Sequence, residues 1–245
     1  MGRALTRVYV DSELAVGQRL TVEGSAGNHI VRVLRLRVGD ALTVFNGRGG
    51  EWGGKIDEMR RDTVQVSVLE HRDQERESPF QLTLAQGISR GERMDWVVQK
   101  ATELGVTRIA PVFTERSVVQ LDEKQAAKKV QHWRGIAVAA CEQSGRNHVP
   151  EIADPVSLYD LLEKRAAGDT ALLLSPGAPL RIGDVASAAG GATVLIGPEG
   201  GLAQAEQETA LRRGFTPVRL GPRVLRTETA AVCALTLLQQ KFGDL

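Results

Sequence analysis

The stretch IGPEGGLAQAEQE, Ile196–Glu208, sets a proline, an acid and three glycines between an apolar run and a segment of good helix formers. A strand that enters a helix through glycines is a common frame for phosphate, because the free N–H groups at the helix start attract anions. Two residues work against that here. Pro198 removes a backbone donor and Glu199 adds a negative charge, so the turn suits a cationic or neutral ligand better.

On either side of this turn, apolar β-runs alternate with helical segments. FQLTLAQGI reads as a strand, and ERMDWVVQKATEL follows with Met94, Val97, Val98, Ala101 and Leu104 on one helical face, stopped by Gly105. RIAPVF is the next strand. EKQAAKKVQHWRGIAVAACEQSG carries Ala126, Val130, Trp133, Ala137 and Ala140 on one stripe, with Cys141 beside it as core rather than nucleophile. SLYDLLEKRAAG opens on Ser157 and Asp160 in the manner of a capping box. Strands TALLLS and ATVLIG, a helix over 203–213, strand FTPVRLG and a helix over 227–242 complete the series. The alternation predicts an α/β domain, a mostly parallel sheet with helices on both faces. Ligands in such sheets bind beyond the carboxyl ends of the strands, which singles out the loops 172–180, 196–201 and 220–226. A dinucleotide fold would carry G-x-G-x-x-G after its first strand, and QGISRGERMD does not fit.

Residues 1 to about 70 have a different rhythm, with short strands TRVYV, QRLTV, HIVRVLRL, ALTVF, GKIDEM and TVQVSVLE. Asn46-Gly47 predicts a tight hairpin, and the glycines of NGRGGEWGG read as turn or bulge because no helix follows them. Short, closely spaced strands make a small barrel or sandwich. Arg32 and Arg35 interrupt the apolar run HIVRVLRL three residues apart, which no ideal strand can place on one face, so a bend or short helix is expected there. The charged stretch EHRDQERESPF is a linker, with the boundary near residue 76.

Bulk properties narrow the classes. The chain has 245 residues, 42% of them hydrophobic, no apolar run of membrane-spanning length and no apolar segment of signal-peptide type near its start, so a cytoplasmic protein is expected. Cys141 and Cys233 form neither a disulfide framework nor a zinc site, and the four histidines lack ligand spacing, so no metal is expected. Net charge is only +1, but 28–37 holds Arg32, Arg35 and Arg37, and 211–226 holds five arginines, both without an acid. These are either two solvated faces or parts of one electropositive surface for nucleic acid. Aromatic residues make up 4% of the chain, too few for an extended base-stacking platform, so RNA recognition would lean on phosphates and shape.

Taken together and in order, RVLR at 32–35, GERMDWVVQKATELGV, CEQSGRNHVPEI, IGPEGGL and LGPRVLRTETA resemble the bacterial ribosomal RNA small subunit methyltransferase E family, uridine N3 methyltransferases of the knotted SPOUT superfamily. The resemblance implies a PUA-like β-barrel over 1–75, then a SPOUT methyltransferase domain over 76–245 whose end threads a trefoil knot. S-adenosylmethionine would sit bent in the knot, against Leu174 and Ser175, against Ile196, Gly197, Glu199 and Gly200, and against Leu220, Gly221, Val224, Leu225 and Arg226. Glycines would let the main chain approach the adenine, and the positive sulfonium would favour carbonyls and carboxylates. Where the family has a helix-capping serine or threonine, this chain has Ala203, a loss of about 1 kcal/mol in helix capping.

Catalysis would need N3 of a uridine aligned with the methyl carbon and relieved of its proton. Arg226, with Arg223 in reserve, is the candidate to stabilise charge on the uridine oxygens, and Glu199 or Glu228 the candidate base. Arg7, Arg32 and Arg35 are expected phosphate contacts, joined by Arg93, Lys100, Arg146 and Arg223. The resemblance also implies a uridine in the decoding region of 16S ribosomal RNA, the assembled 30S subunit as substrate, and a homodimer that buries the apolar last helix. Other readings are a SPOUT RNA methyltransferase for a different nucleotide, a non-catalytic RNA-binding protein and a nucleotide-dependent oxidoreductase.

Overall fold

The computed structural model describes residues 6–117, 121–165, 168–188 and 190–245. It divides into two compact units, Met1–Glu77 with Val138–Val149, and Ser78–Ala137 with Pro150–Leu245.

In the first unit, strands β1 (Arg7–Tyr9) and β2 (Arg19–Val22) are followed by a short helix α1 (Gly24–Asn28) that runs on into a π-helical turn, His29–Val33. Strands β3 (Ala41–Phe45), β4 (Glu51–Arg60) and β5 (Thr63–Arg72) then complete a mixed half-barrel sheet in the order β1-β3-β4-β5-β2. β1 lies parallel to β3 and the other pairs are antiparallel. Val8, Leu20, Val22, Ile56, Val64 and Val66 alternate with exposed or half-buried neighbours and form one core with Ile30, Leu42 and Val44, while β3 is buried without a break from Leu42 to Phe45.

Three expectations are corrected here. HIVRVLRL is helical at its start rather than a strand, in keeping with the bend or short helix expected from the spacing of Arg32 and Arg35: Ile30 alone of its first residues is fully buried, and Arg35 takes the left-handed conformation at φ 52°. The stretch EWGG is the first part of β4, not a turn, and a register shift between Gly53 and Gly54 marks a bulge. The loop from β3 to β4 spans residues 46–50, longer than a tight hairpin, and Asn46 Oδ1 accepts from the backbone N–H of Arg48 at 3.2 Å.

The second unit follows the βα alternation closely. Its elements are β6 (Leu82–Gly87), α2 (Arg93–Glu103), β7 (Arg108–Phe113), α3 (Glu123–Ser144, its end from Val138 counted with the first unit), β8 (Glu151–Ile152), β9 (Val156–Ser157), α4 (Leu158–Lys164), β10 (Thr170–Leu174), β11 (Leu180–Arg181), β12 (Ala192–Ile196), α5 (Gln204–Arg212), β13 (Thr216–Arg219) and α6 (Thr227–Phe242). Every strand pair is parallel, in the order β11-β13-β10-β12-β6-β7-β8, with β9 also on β7. The central strand β12 is buried along its whole length, as a strand covered on both faces must be. On one face Ala85, Val112, Leu173 and Leu195 pack with Leu158 and Leu162 of α4 and Ala210 of α5. α6 packs on β6 and β12 and against α2.

Local signals explain the helix ends. α2 buries Met94, Val97, Val98 and Ala101, and Gly105, at φ 79°, closes it. Ser157 caps α4 by accepting from the Asp160 N–H at 3.0 Å; the alanines 166 and 167 of the segment read from sequence lie outside the described residues. At α5, Ala203 has no side-chain acceptor, so only half of a capping box exists. The Glu206 carboxylate, 1% exposed, accepts from the N–H of Ala203 and of Glu115, each at 2.8 Å.

Candidate functional site

Beyond the carboxyl ends of β10, β12 and β13, the second unit holds a cavity of about 620 Å³. Three loops wall it. The first leaves β10 at Leu174 and turns at Ser175, whose N–H donates to Val218 O at 2.8 Å. Arg219 braces this loop by donating its guanidinium to the carbonyls of Ala178 and Pro179. The second is the turn after β12, where Gly201 N–H donates to Pro198 O at 2.9 Å. No side chain fits at its base: a Cβ on Gly87, at the end of β6, would lie 2.5 Å from the backbone N of Pro198. The third loop, from Leu220 to Arg226, leads into α6.

Thus Leu174, Ser175, Ile196, Gly197, Glu199, Leu220, Gly221, Val224, Leu225 and Arg226 all line one cavity, together with Arg93, Arg223 and Glu228. Gly200 is not in the lining; its carbonyl accepts from Arg116, which is, at 3.1 Å. The walls are largely apolar, with carboxylates and arginines at the edges, a mixture that can enclose a nucleoside and orient it through a few polar groups.

The charged groups are ordered around Arg93 at the start of α2. Its guanidinium donates to Glu199 and lies 4.0 Å from Glu228. Burial works to raise the Glu199 pKa, but its own backbone N–H, the Arg93 guanidinium and the Arg90 N–H outweigh it and hold the carboxyl below its ordinary value. Glu199 therefore has little affinity for a proton, which weighs against it as a base. Glu228 differs: its side chain is 16% exposed, and its Oε2 is buried without a hydrogen-bond partner among the described residues. Arg223 and Arg226 are exposed, and Val224 between them is 80% exposed.

The expected phosphate contacts separate into two groups. Arg7 and Arg146 are corrections, because both are committed to buried partners within the first unit. Arg7 pairs with Glu51, donates to Arg146 O at 3.0 Å and Asn147 Oδ1 at 2.6 Å, and lies over the Phe45 ring. Arg146, 3% exposed, donates from Nε to both carboxylate oxygens of Glu77 at 3.1 Å. Arg32 and Arg35 remain exposed, and Arg32 borders a surface depression with His29 and Arg61. Lys100 pairs with Glu103 at 2.8 Å.

Sequence reasoning missed Arg116, Gln207 and Thr227 of the lining. Arg116 follows the carboxyl end of β7, which is the signal that could have found it. Gln207 lies on α5, where its Nε2 donates to Leu202 O at 3.0 Å, and no motif marks it. Cys141 is buried, and burial pushes its thiol pKa up to about 12, consistent with core rather than nucleophile.

Comparison with known proteins adds independent findings. Residues 76–239 match the RNA methyltransferase domain family, and residues 22–69 match the RNA methyltransferase PUA domain family. The ribosomal RNA small subunit methyltransferase E of Buchnera aphidicola subsp. Schizaphis graminum is 36% identical over 245 residues, covering 100% of both chains. A Legionella pneumophila structure in complex with the cofactor SAM superposes with a TM-score of 0.92 at 40% identity, over 99% of this chain and 100% of that one. The ribosomal RNA small subunit methyltransferase E of Neisseria gonorrhoeae, bound to S-adenosyl methionine, gives a TM-score of 0.92 at 36% identity, over 98% and 99%.

Proposed function

The chain belongs to the ribosomal RNA small subunit methyltransferase E family, and from that membership we propose that it methylates N3 of one uridine in the decoding region of 16S ribosomal RNA, using S-adenosylmethionine. The observation that carries this reading is the single cavity to which the loops 172–180, 196–201 and 220–226 all contribute. Its size and chemistry fit the cofactor. A volume of about 620 Å³ suits a folded nucleoside, and Leu173, Leu174, Ile196, Leu220 and Leu225 offer apolar walls. The backbone of the turn is free to approach, and Glu199 and Glu228 favour a cationic sulfur. When bound, S-adenosylmethionine supplies an electrophilic methyl group on that sulfur.

The chain's own residues do the rest. Arg226, unpaired among the described residues, is placed to stabilise negative charge on the uridine oxygens as N3 loses its proton. Glu228 is the better-placed base, since its Oε2 makes no hydrogen bond among the described residues, while the Glu199 carboxylate is held by its own backbone N–H, Arg93 and Arg90. Arg223, Arg32 and Arg35 are exposed and available to phosphates. The substrate is the assembled 30S subunit, met in the cytoplasm.

The proposal includes two domains, 1–75 and 76–245, the second with its end threaded as a trefoil knot, and a homodimer. α6 supports the dimer, because Val232, Cys233, Thr236 and Leu237 frame an apolar groove with Leu220 and Leu225. Reverse transcription tests the activity. A methyl on N3 blocks Watson–Crick pairing and arrests copying, so cells lacking the gene lose one arrest site, which the wild-type gene restores. Arg226→Ala lowers kcat by on the order of a hundredfold to a thousandfold and fails to restore the arrest. Wild-type rate in that variant removes Arg226 from the mechanism.

A further inference from the structure

Strand β6 and two of the segments that line the cavity are joined by one buried relay. Gln86, next to the end of β6 and fully buried, donates from Nε2 to Thr227 Oγ1 at 2.9 Å and to Gly87 O at 3.1 Å. Thr227, the first residue of α6, donates its hydroxyl to Gly197 O at 2.7 Å. A carbonyl can only accept, so the Thr227 hydroxyl has one orientation, donating to the turn and accepting from the strand. The N-cap residue Arg226 makes no side-chain cap bond, which leaves Thr227 as the hydrogen-bonded side chain where the chain enters α6.

The relay also carries a cost. Gln86 Oε1 is buried with no partner among the described residues, an arrangement that an aliphatic side chain on the same strand would avoid. The amide is therefore badly explained as filling. Its neighbours give it a purpose, because Arg226 and Glu228 flank Thr227 directly in the chain and Gly197 begins the glycine turn.

We propose that Gln86 and Thr227 are positioning residues, which fix the spacing between the turn after β12 and the head of α6 and so place Arg226 and Glu228. The inference rests on the reading of this cavity given above. Neither residue is assigned a role on the reacting atoms. Without the hydroxyl, Gly197 O and Gln86 Nε2 both lose a buried partner, and the head of α6 is free to shift against the turn. A misplacement of about 1 Å can lower a rate on the order of a hundredfold.

The test compares Thr227→Val, Thr227→Ser, Gln86→Leu and the Thr227→Val/Gln86→Leu double variant in the full chain. Measured are kcat and KM for methyl transfer to 30S subunits, calorimetric affinity for S-adenosylhomocysteine, and thermal midpoint. Thr227→Val lowers kcat on the order of a hundredfold while nucleoside affinity and KM stay near wild type. Thr227→Ser keeps most of the rate, because it keeps the donor. The double variant is no slower than Thr227→Val alone, since both substitutions cut the same relay.

A wild-type kcat for Thr227→Val overturns the proposal, as does a Thr227→Ser rate as low as that of the valine variant. So do additive losses in the double variant, or nucleoside affinity falling in step with kcat, which would make the pair part of binding. The wild-type control separates the two readings. Wild-type transfer with an unimpaired valine variant removes the relay alone, whereas nucleoside binding without any wild-type transfer removes the functional reading and the relay's role with it.

Discussion

In the stretch 46–54, a Cβ added to Gly54 would meet the Val66 side chain at 2.8 Å, and one added to Gly53 would meet the Glu70 side chain at 2.8 Å. Beside the turn 196–201, a Cβ on Gly87 would meet the Pro198 backbone at 2.5 Å, and one on Gly197 the backbone of Gly201 and Leu202 at 3.0 Å. The first glycines make room for side chains of a neighbouring strand, which can rotate or be shortened. The second make room for main chain, which cannot. Two glycine-rich stretches of similar composition thus serve different ends, one a bulged sheet and the other the wall of an open cavity.

The sharpest way to break this contrast is Gly87→Ala. Overpacking against backbone costs about 3 kcal/mol, visible as a lower urea midpoint, and it displaces the turn enough to weaken S-adenosylhomocysteine in calorimetry. Gly54→Ala costs about 1–3 kcal/mol of stability and leaves that affinity unchanged. Shortening Val66 to Ala in the same chain recovers part of the loss, a coupling that a double-mutant cycle measures directly. If Gly87→Ala were equally repairable, the distinction between the two stretches would collapse.

Smaller effects sharpen it. Ala203→Ser adds the missing acceptor at the start of α5 and raises unfolding free energy by about 1 kcal/mol; no gain would mean that Glu206 already does all the capping. Glu199 contributes least. Its folded pKa is depressed, so its stabilisation is present above the ordinary value of 4.5 and is lost as pH falls through the lower folded value. With the side chain 31% exposed the effect is modest, and Glu199→Gln flattens stability against pH in that acid range alone.

Much of the second unit is legible in its residues. The stripe Met94, Val97, Val98 and Ala101 gives α2, and the apolar run ATVLI gives a strand covered on both faces. Strand ends mark the three loops that meet at the cavity, because parallel strands deliver their carboxyl ends to one edge. The first unit resists such reading. HIVRVLRL has the composition of a strand, and only the three-residue spacing of Arg32 and Arg35 betrays its helical start, because periodicity in so short an apolar run does not tell a strand from a helix. Arg7 and Arg146 look like free cations because their acids, Glu51 and Glu77, lie 44 and 69 residues away in sequence. Arg116 carries only its place after the carboxyl end of β7 to announce it, and Gln207 carries no signal at all until the folded chain brings it to the cavity.

The segment Val138–Val149 belongs with the amino-terminal unit although it lies in the middle of the chain. It supplies Arg146 and Asn147, which bind Arg7, Glu77 and the carbonyl of Gln74. The amino-terminal unit is consequently no transferable cassette. A gene truncated after residue 77 would encode a fragment that keeps the Arg7–Glu51 pair but lacks Arg146 and Asn147, leaving Glu77 and the carbonyl of Gln74 without the partners they have here.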